Sequence, residues 1–120
     1  MKAQPEFGRY VRERREALEK GNREYSLRGV ARKLACQPAY LSMVERGTSA
    51  PPSEALIVKL AAMLEEDADV LLALAGKVSG DLREIIMRRP RLFADLIRQL
   101  REAPDAAVTR VVREVRDGKW

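Results

Sequence analysis

Apolar residues recur at three- and four-residue spacing almost throughout this chain. No alternating apolar and polar run rich in β-branched residues interrupts them, so the pattern predicts an all-α protein. Phe7, Val11 and Leu18, with Tyr10 and Ala17 beside them, form the stripe of a first helix whose other faces carry Arg9, Arg12, Glu13, Arg14 and Glu16. Ser26 is placed to cap a second helix at about Leu27 to Leu34, with Tyr25 and Val30 at the spacing of a hydrophobic staple. After a turn at Ala35 and Cys36, Gln37 is the N-cap of a third helix and Pro38 its first residue, where a missing N–H costs nothing. That helix runs to about Arg46, and Gly47 stops it as the left-handed residue beyond the last turn. The stretch SAPP forbids helix. Ser53 then caps a fourth helix bearing Leu56, Ile57, Leu60, Ala61 and Leu64, and Asp67 caps a fifth bearing Val70, Leu71, Leu72 and Leu74 up to Gly76.

From Lys77 the pattern changes. Three stripes follow, Leu82, Ile85 and Ile86, then Leu92, Phe93, Leu96, Ile97 and Leu100, then Val108, Val111, Val112 and Val115, separated by Pro90 and Pro104. Each is narrow and flanked by arginines, and such stripes bury little unless they meet one another or a second chain. The chain therefore divides into a five-helix domain, residues 1–76, and a helical C-terminal extension, residues 77–120, expected to dimerise or to bind a partner.

Composition narrows the function classes. With 120 residues, 46% hydrophobic and 5% aromatic, the chain suits one compact domain with an appendage, not two full-sized domains. Lys and Arg outnumber Asp and Glu by 23 to 18, which favours polyanionic partners. A single cysteine and no histidine exclude an internal disulfide, the usual zinc sites and every His-dependent triad, so no metal, cofactor or catalytic site is predicted. No apolar run is long enough to span a bilayer, and MKAQPEFGRYVRERRE lacks the apolar core of a signal peptide; a cytoplasmic protein is expected. Cys36 reads as a small turn residue rather than a redox thiol, because only Lys33 and a helix start stand near enough to lower its pKa.

In the segment from Ser26 to Gly47, Val30, Ala31 and Leu34 face inward from one helix and Leu41 and Val44 from the next. Ala31 falls where the two helices cross most closely, so its small size matters. Gln37, Ala39, Tyr40, Ser42, Met43 and Arg46 are left over on the outer face, and Met43 is expected to be exposed because Leu41 and Val44 already supply the inward stripe.

SLRGVARKLACQPAYLSMVERG resembles the helix-turn-helix of the phage repressor and Cro (XRE-type) family through Val30-Ala31, Leu41-Ser42, Glu45-Arg46-Gly47 and Pro51-Pro52, in order and at the family's spacing. The resemblance implies a lambda-repressor-like DNA-binding domain whose helix from Pro38 to Arg46 enters the major groove of double-stranded DNA. It places Gln37, Pro38, Ala39, Tyr40 and Met43 at the bases, and Arg28, Ser42, Arg46, Thr48 and Ser49 at phosphates. Gln37 suits adenine N6 and N7, Ala39 and Met43 suit a thymine methyl, and Pro38 offers no hydrogen bond, so few direct base contacts are expected. The resemblance also implies that Glu45 pairs with an arginine of the first helix, best aligned to Arg15, with Ala31 and Gly47 as structural positions. Two departures stand out. Ala35 occupies a turn position usually held by glycine, and GNREYS lengthens the first connection.

Charge supports this orientation. Between Ser26 and Ser49, Arg28, Arg32, Lys33 and Arg46 face only Glu45; from Pro51 to Leu72, Glu54, Glu65, Glu66, Asp67 and Asp69 face only Lys59. The expected function is a sequence-specific transcriptional regulator, a repressor acting as a homodimer through Val108, Val111, Val112 and Val115, and not an enzyme. The alternatives are an antitoxin or peptidase-controlled regulator whose tail binds a partner protein, and a helical interaction module without DNA binding.

Overall fold

The structure, a computed structural model, describes residues 5–118. Residues 1–4, counted in the expected first domain, and the last two residues of the extension lie outside the described residues. Among the described residues there are eight α-helices and no strand: α1 (Pro5–Glu19), α2 (Leu27–Lys33), α3 (Pro38–Arg46), α4 (Glu54–Met63), α5 (Ala68–Leu74), α6 (Gly80–Arg88), α7 (Pro90–Leu100) and α8 (Asp105–Arg116). The lengthened first connection is partly ordered as a short 3-10 turn, Arg23–Tyr25, whose start is held by Asn22 accepting from the Glu24 N–H.

Local chemistry sets the helix ends. Ser26 accepts from the Gly29 N–H at 3.0 Å, Ser53 from the Leu56 N–H at 3.3 Å and Asp67 from the Asp69 N–H at 2.8 Å, each satisfying an orphan donor of a first turn. Gln37 is the N-cap of α3 but makes no side-chain capping bond, so Pro38 and backbone geometry start that helix alone. The ends of α2, α3, α4 and α5 all close by a left-handed residue followed by an N–H reaching back five residues: Cys36 to Ala31, Thr48 to Met43, Glu66 to Ala61 and Lys77 to Leu72. Glycine fills the left-handed position after α3 and α5. Ala35 and Glu65 fill it after α2 and α4, both at φ 57°, at a cost of about 1 kcal/mol each relative to glycine.

Five helices pack one core. Phe7 and Val11 of α1, Val30 and Ala31 of α2, Leu41 and Val44 of α3, Ile57, Leu60 and Ala61 of α4, and Leu71 and Leu72 of α5 are all buried, with Leu34, Leu64 and Ala75 at the helix ends. α1 lies against α3 and α5, α2 against α3, and α4 against α5. Ala17, expected beside the α1 stripe, is exposed instead, and Arg15 takes the inward position on that turn. Ala17 lines an open surface hollow with Tyr10, Arg14 and Glu66, whereas the charged Arg15 has a buried partner. Val70 is likewise exposed, whereas Leu71 and Leu72 are buried.

The chain separates into two compact units after Ser79, three residues beyond Gly76, and Ser79 itself is buried. In the second unit α6 packs against α7, yet none of the residues of α6, α7 or α8 is buried. Among the described residues no helix is long and apolar enough to cross a membrane.

Candidate nucleic-acid interface

α3 is amphipathic in an unusual sense, because its inward stripe includes a charge. Leu41, Val44 and Glu45 are buried, while Gln37, Ala39, Met43 and Arg46 are exposed, and Pro38 and Ser42 are half-buried. Met43 keeps 40% of its surface. Tyr40 lies between the two sets. It is half-buried and packed against the core, as its position one residue before Leu41 and four before Val44 requires. Burial, with Cys36 nearby as a lesser cause, raises the Tyr40 pKa, so it presents a neutral phenol at the flank of the exposed face.

The buried charge is matched. Arg15 donates from Nε to Glu45 Oε2 at 2.7 Å and from Nη2 to Glu45 Oε1 at 3.0 Å, a two-pronged pair between α1 and α3. Its Nη1 reaches Glu19 at 3.3 Å and the Tyr25 carbonyl at 3.2 Å, so the same guanidinium also ties down the connection before α2. Glu45 accepting these bonds raises the Arg15 pKa further, despite the opposing effect of burial. With Arg15 7% and Glu45 6% exposed, the attraction acts in a medium where an unpaired member would be costly. The pair therefore fixes how α3 sits on α1, and through α3 the direction its outer residues face.

Gly8 completes that contact, and the sequence reading missed it. A Cβ on Gly8 would stand 2.2 Å from the Val44 carbonyl oxygen and 2.7 Å from that of Glu45, so only glycine lets α1 approach the last turn of α3. The available signal was a glycine inside a helix, which costs about 1 kcal/mol relative to alanine and needs a compensating close approach. Arg14 was also missed as a structural residue: its Nε lies 2.9 Å from the Leu64 carbonyl and 3.3 Å from Glu66, clamping α1 to the link between α4 and α5.

The expected phosphate-binding residues divide by freedom. Arg28 and Arg46 are exposed, and among the described residues Arg46 makes only a long 3.4 Å contact from Nε to the Ser42 carbonyl. The Thr48 hydroxyl donates to the Met43 carbonyl at 3.2 Å and that of Ser49 to the Ala50 carbonyl at 3.3 Å, so both hydroxyl protons are used within the chain. Ala31 is fully buried and Gly47, at φ 73°, is the left-handed stop of α3. The Cys36 thiol is half-buried, and burial pushes its pKa up, opposite to what an activated thiolate needs. In α8, Val108 and Val111 are half-buried, while Val112 and Val115 are exposed.

A two-helix hairpin whose second helix is braced from behind and exposed in front is the geometry of a DNA-reading module. The family described as the helix-turn-helix domain matches residues 6–74, more than half of the chain, and the protein belongs to this family. No curated protein and no solved structure matches the chain.

Proposed function

We propose that this protein is a sequence-specific DNA-binding transcriptional regulator of the phage repressor and Cro (XRE) type, a cytoplasmic repressor acting as a homodimer. The observation that carries the reading is the division of α3: Gln37, Ala39, Met43 and Arg46 stay exposed on a helix whose other face is locked to α1 by a buried ion pair. Gln37 is the residue able to hold adenine N6 and N7; Ala39 and Met43 offer apolar contact to a thymine methyl, with Tyr40 at their flank. Pro38 starts the helix without adding a donor. Base readout is then sparse, and phosphate contacts from Arg28, Ser42 and Arg46 position the module, joined by Thr48 and Ser49 once their hydroxyls turn from the Met43 and Ala50 carbonyls. The homodimer is assigned to the valine stripe of α8, Val108, Val111, Val112 and Val115, which would set two reading helices on half-sites about 34 Å apart.

Gel-shift titration on the protein's own promoter region tests the reading. We expect one preferred site and an affinity that falls steeply with salt; binding without a preferred site, or with a flat salt response, overturns it. A second reading, a tail that captures a partner protein in the manner of an antitoxin or peptidase-controlled regulator, is favoured by the exposed apolar residues of α6 and α7, among them Met87, Leu92 and Ile97. Removing residues 80–120 decides between them: loss of the dimer supports self-association, and an unchanged dimer with unchanged DNA affinity assigns the tail to a partner.

A further inference from the structure

Resting on the DNA-binding reading, a second basic element borders the exposed face of α3, and it comes from α1. Arg12, Arg15, Leu27, Ser42, Glu45 and Arg46 line one solvent-open groove of about 250 Å³. The buried Arg15–Glu45 pair closes it from below, and the pair's charges cancel. Arg12 and Arg46 are its remaining cations, with Glu16 beside Arg12 and Glu19 beside Arg15 as the nearby carboxylates. Neither arginine is firmly held by the described residues: among them Arg12 makes only a 3.4 Å contact to Glu16, with both side chains about half exposed, and such surface pairs are worth little. Among the described residues Arg46 has only the long bond to the Ser42 carbonyl. Ser42 and Arg46 are one turn apart on α3 and turn the groove toward the same surface that carries Ala39 and Met43.

We propose that this groove is a binding site for one phosphodiester of the DNA backbone, gripped by Arg12 from α1 and Arg46 from α3, so that the phosphate is bracketed by the two helices that the Arg15–Glu45 pair holds together. The chemistry fits an anion that runs past a groove rather than one enclosed by it: two exposed guanidiniums carry the charge, and the site is open to solvent. Because the brace and the grip share the same two helices, tightening the pair also fixes the separation of the two arginines. α1 thereby becomes a positioning element as well as a packing one.

The test is the salt dependence of duplex binding by the full chain carrying Arg12→Gln, beside Arg9→Gln as a control. Arg9 is exposed on the same helix, paired to Glu6, and does not line the groove. For Arg12→Gln we expect a similar fold-loss of affinity on the preferred site and on unrelated duplex, and a slope of log affinity against log salt shallower by about 0.9 per bound chain. The slope of Arg9→Gln should match the parent. An Arg12→Gln slope equal to the parent's, or an equal change in Arg9→Gln, overturns the groove while leaving the DNA-binding reading intact. A parent protein that binds no duplex overturns both. Unchanged thermal melting of Arg12→Gln shows that any loss is not one of folding.

Discussion

Ile57 in α4 and Ile97 in α7 are the same residue on helices of 10 and 11 residues, and each belongs to an apolar stripe at helical spacing. Ile57 is fully buried, and Ile97 keeps 56% of its surface. The helices themselves differ, α4 being apolar on most of its faces and α7 carrying one apolar stripe beside Arg91, Asp95 and Arg98, but both present a stripe that calls for cover. In the first unit the stripes meet one another, α1 against α3 and α5, α2 against α3 and α4 against α5, so five short helices close one core. In the second, α6 and α7 face one another but leave Leu82, Ile85, Leu92 and Leu96 exposed as well. Burial stabilises by about 25 cal/mol per Å² of apolar surface, and these four side chains, 39–69% exposed, have made only part of that gain. Amphipathicity thus specifies a helix and the face that wants covering, while the cover itself depends on what else the chain, or another chain, brings.

The comparison can be broken hardest at the brace. Glu45→Ala leaves the buried Arg15 guanidinium without its carboxylate, and urea unfolding should show a loss of about 3–5 kcal/mol. Ile57→Ala should cost about 2–5 kcal/mol in the same measurement, while Ile97→Ala in the second unit should cost well under 1 kcal/mol at concentrations where the protein is monomeric. Equal costs would mean that the two stripes are covered alike. Gly8→Ala should cost about 1–3 kcal/mol, since the new methyl must push α1 off the Val44 carbonyl, and DNA affinity should fall with it as α3 shifts.

A sharper probe of the second unit is Val112→Asp, which places a charge on the α8 stripe. Sedimentation should show a dimer dissociation constant raised at least tenfold, on the order of 1.4 kcal/mol or more, with the melting of the first unit unchanged. The smallest expected effect is a gain. Ala35→Gly relieves the left-handed strain of the turn before α3 and should stabilise the first unit by up to about 1 kcal/mol in thermal or urea melts. A loss there would mean that the looser unfolded chain outweighs the relief.

Much of the first unit was legible in the sequence because its signals are local. Ser26, Ser53 and Asp67 cap where caps were expected, Pro38 and Gly47 bound α3 at the predicted residues, and Val30, Ala31, Leu34, Leu41 and Val44 all turn inward. Exposure of Gln37, Ala39, Met43 and Arg46 follows from the same periodicity. Tyr40 was harder to place, because a residue at the edge of a stripe is divided between core and surface by the shape of its neighbours. Ala17 was misplaced for a related reason: periodicity cannot tell which flank of a stripe another helix will cover, and here that flank went to Arg15.

Helix type, helix ends and inward stripes were therefore determined by the sequence alone, since caps, prolines and three- to four-residue spacing act within a few residues. The reach of Arg15 to Glu45 was expected from the family resemblance and is present; only the tertiary structure decided the other distant contacts, the approach of Gly8 to the Val44 carbonyl and the shared groove of Arg12 and Arg46. These depend on how two helices cross, and a crossing is set by the combined shape of many side chains, which no single stretch of the chain contains.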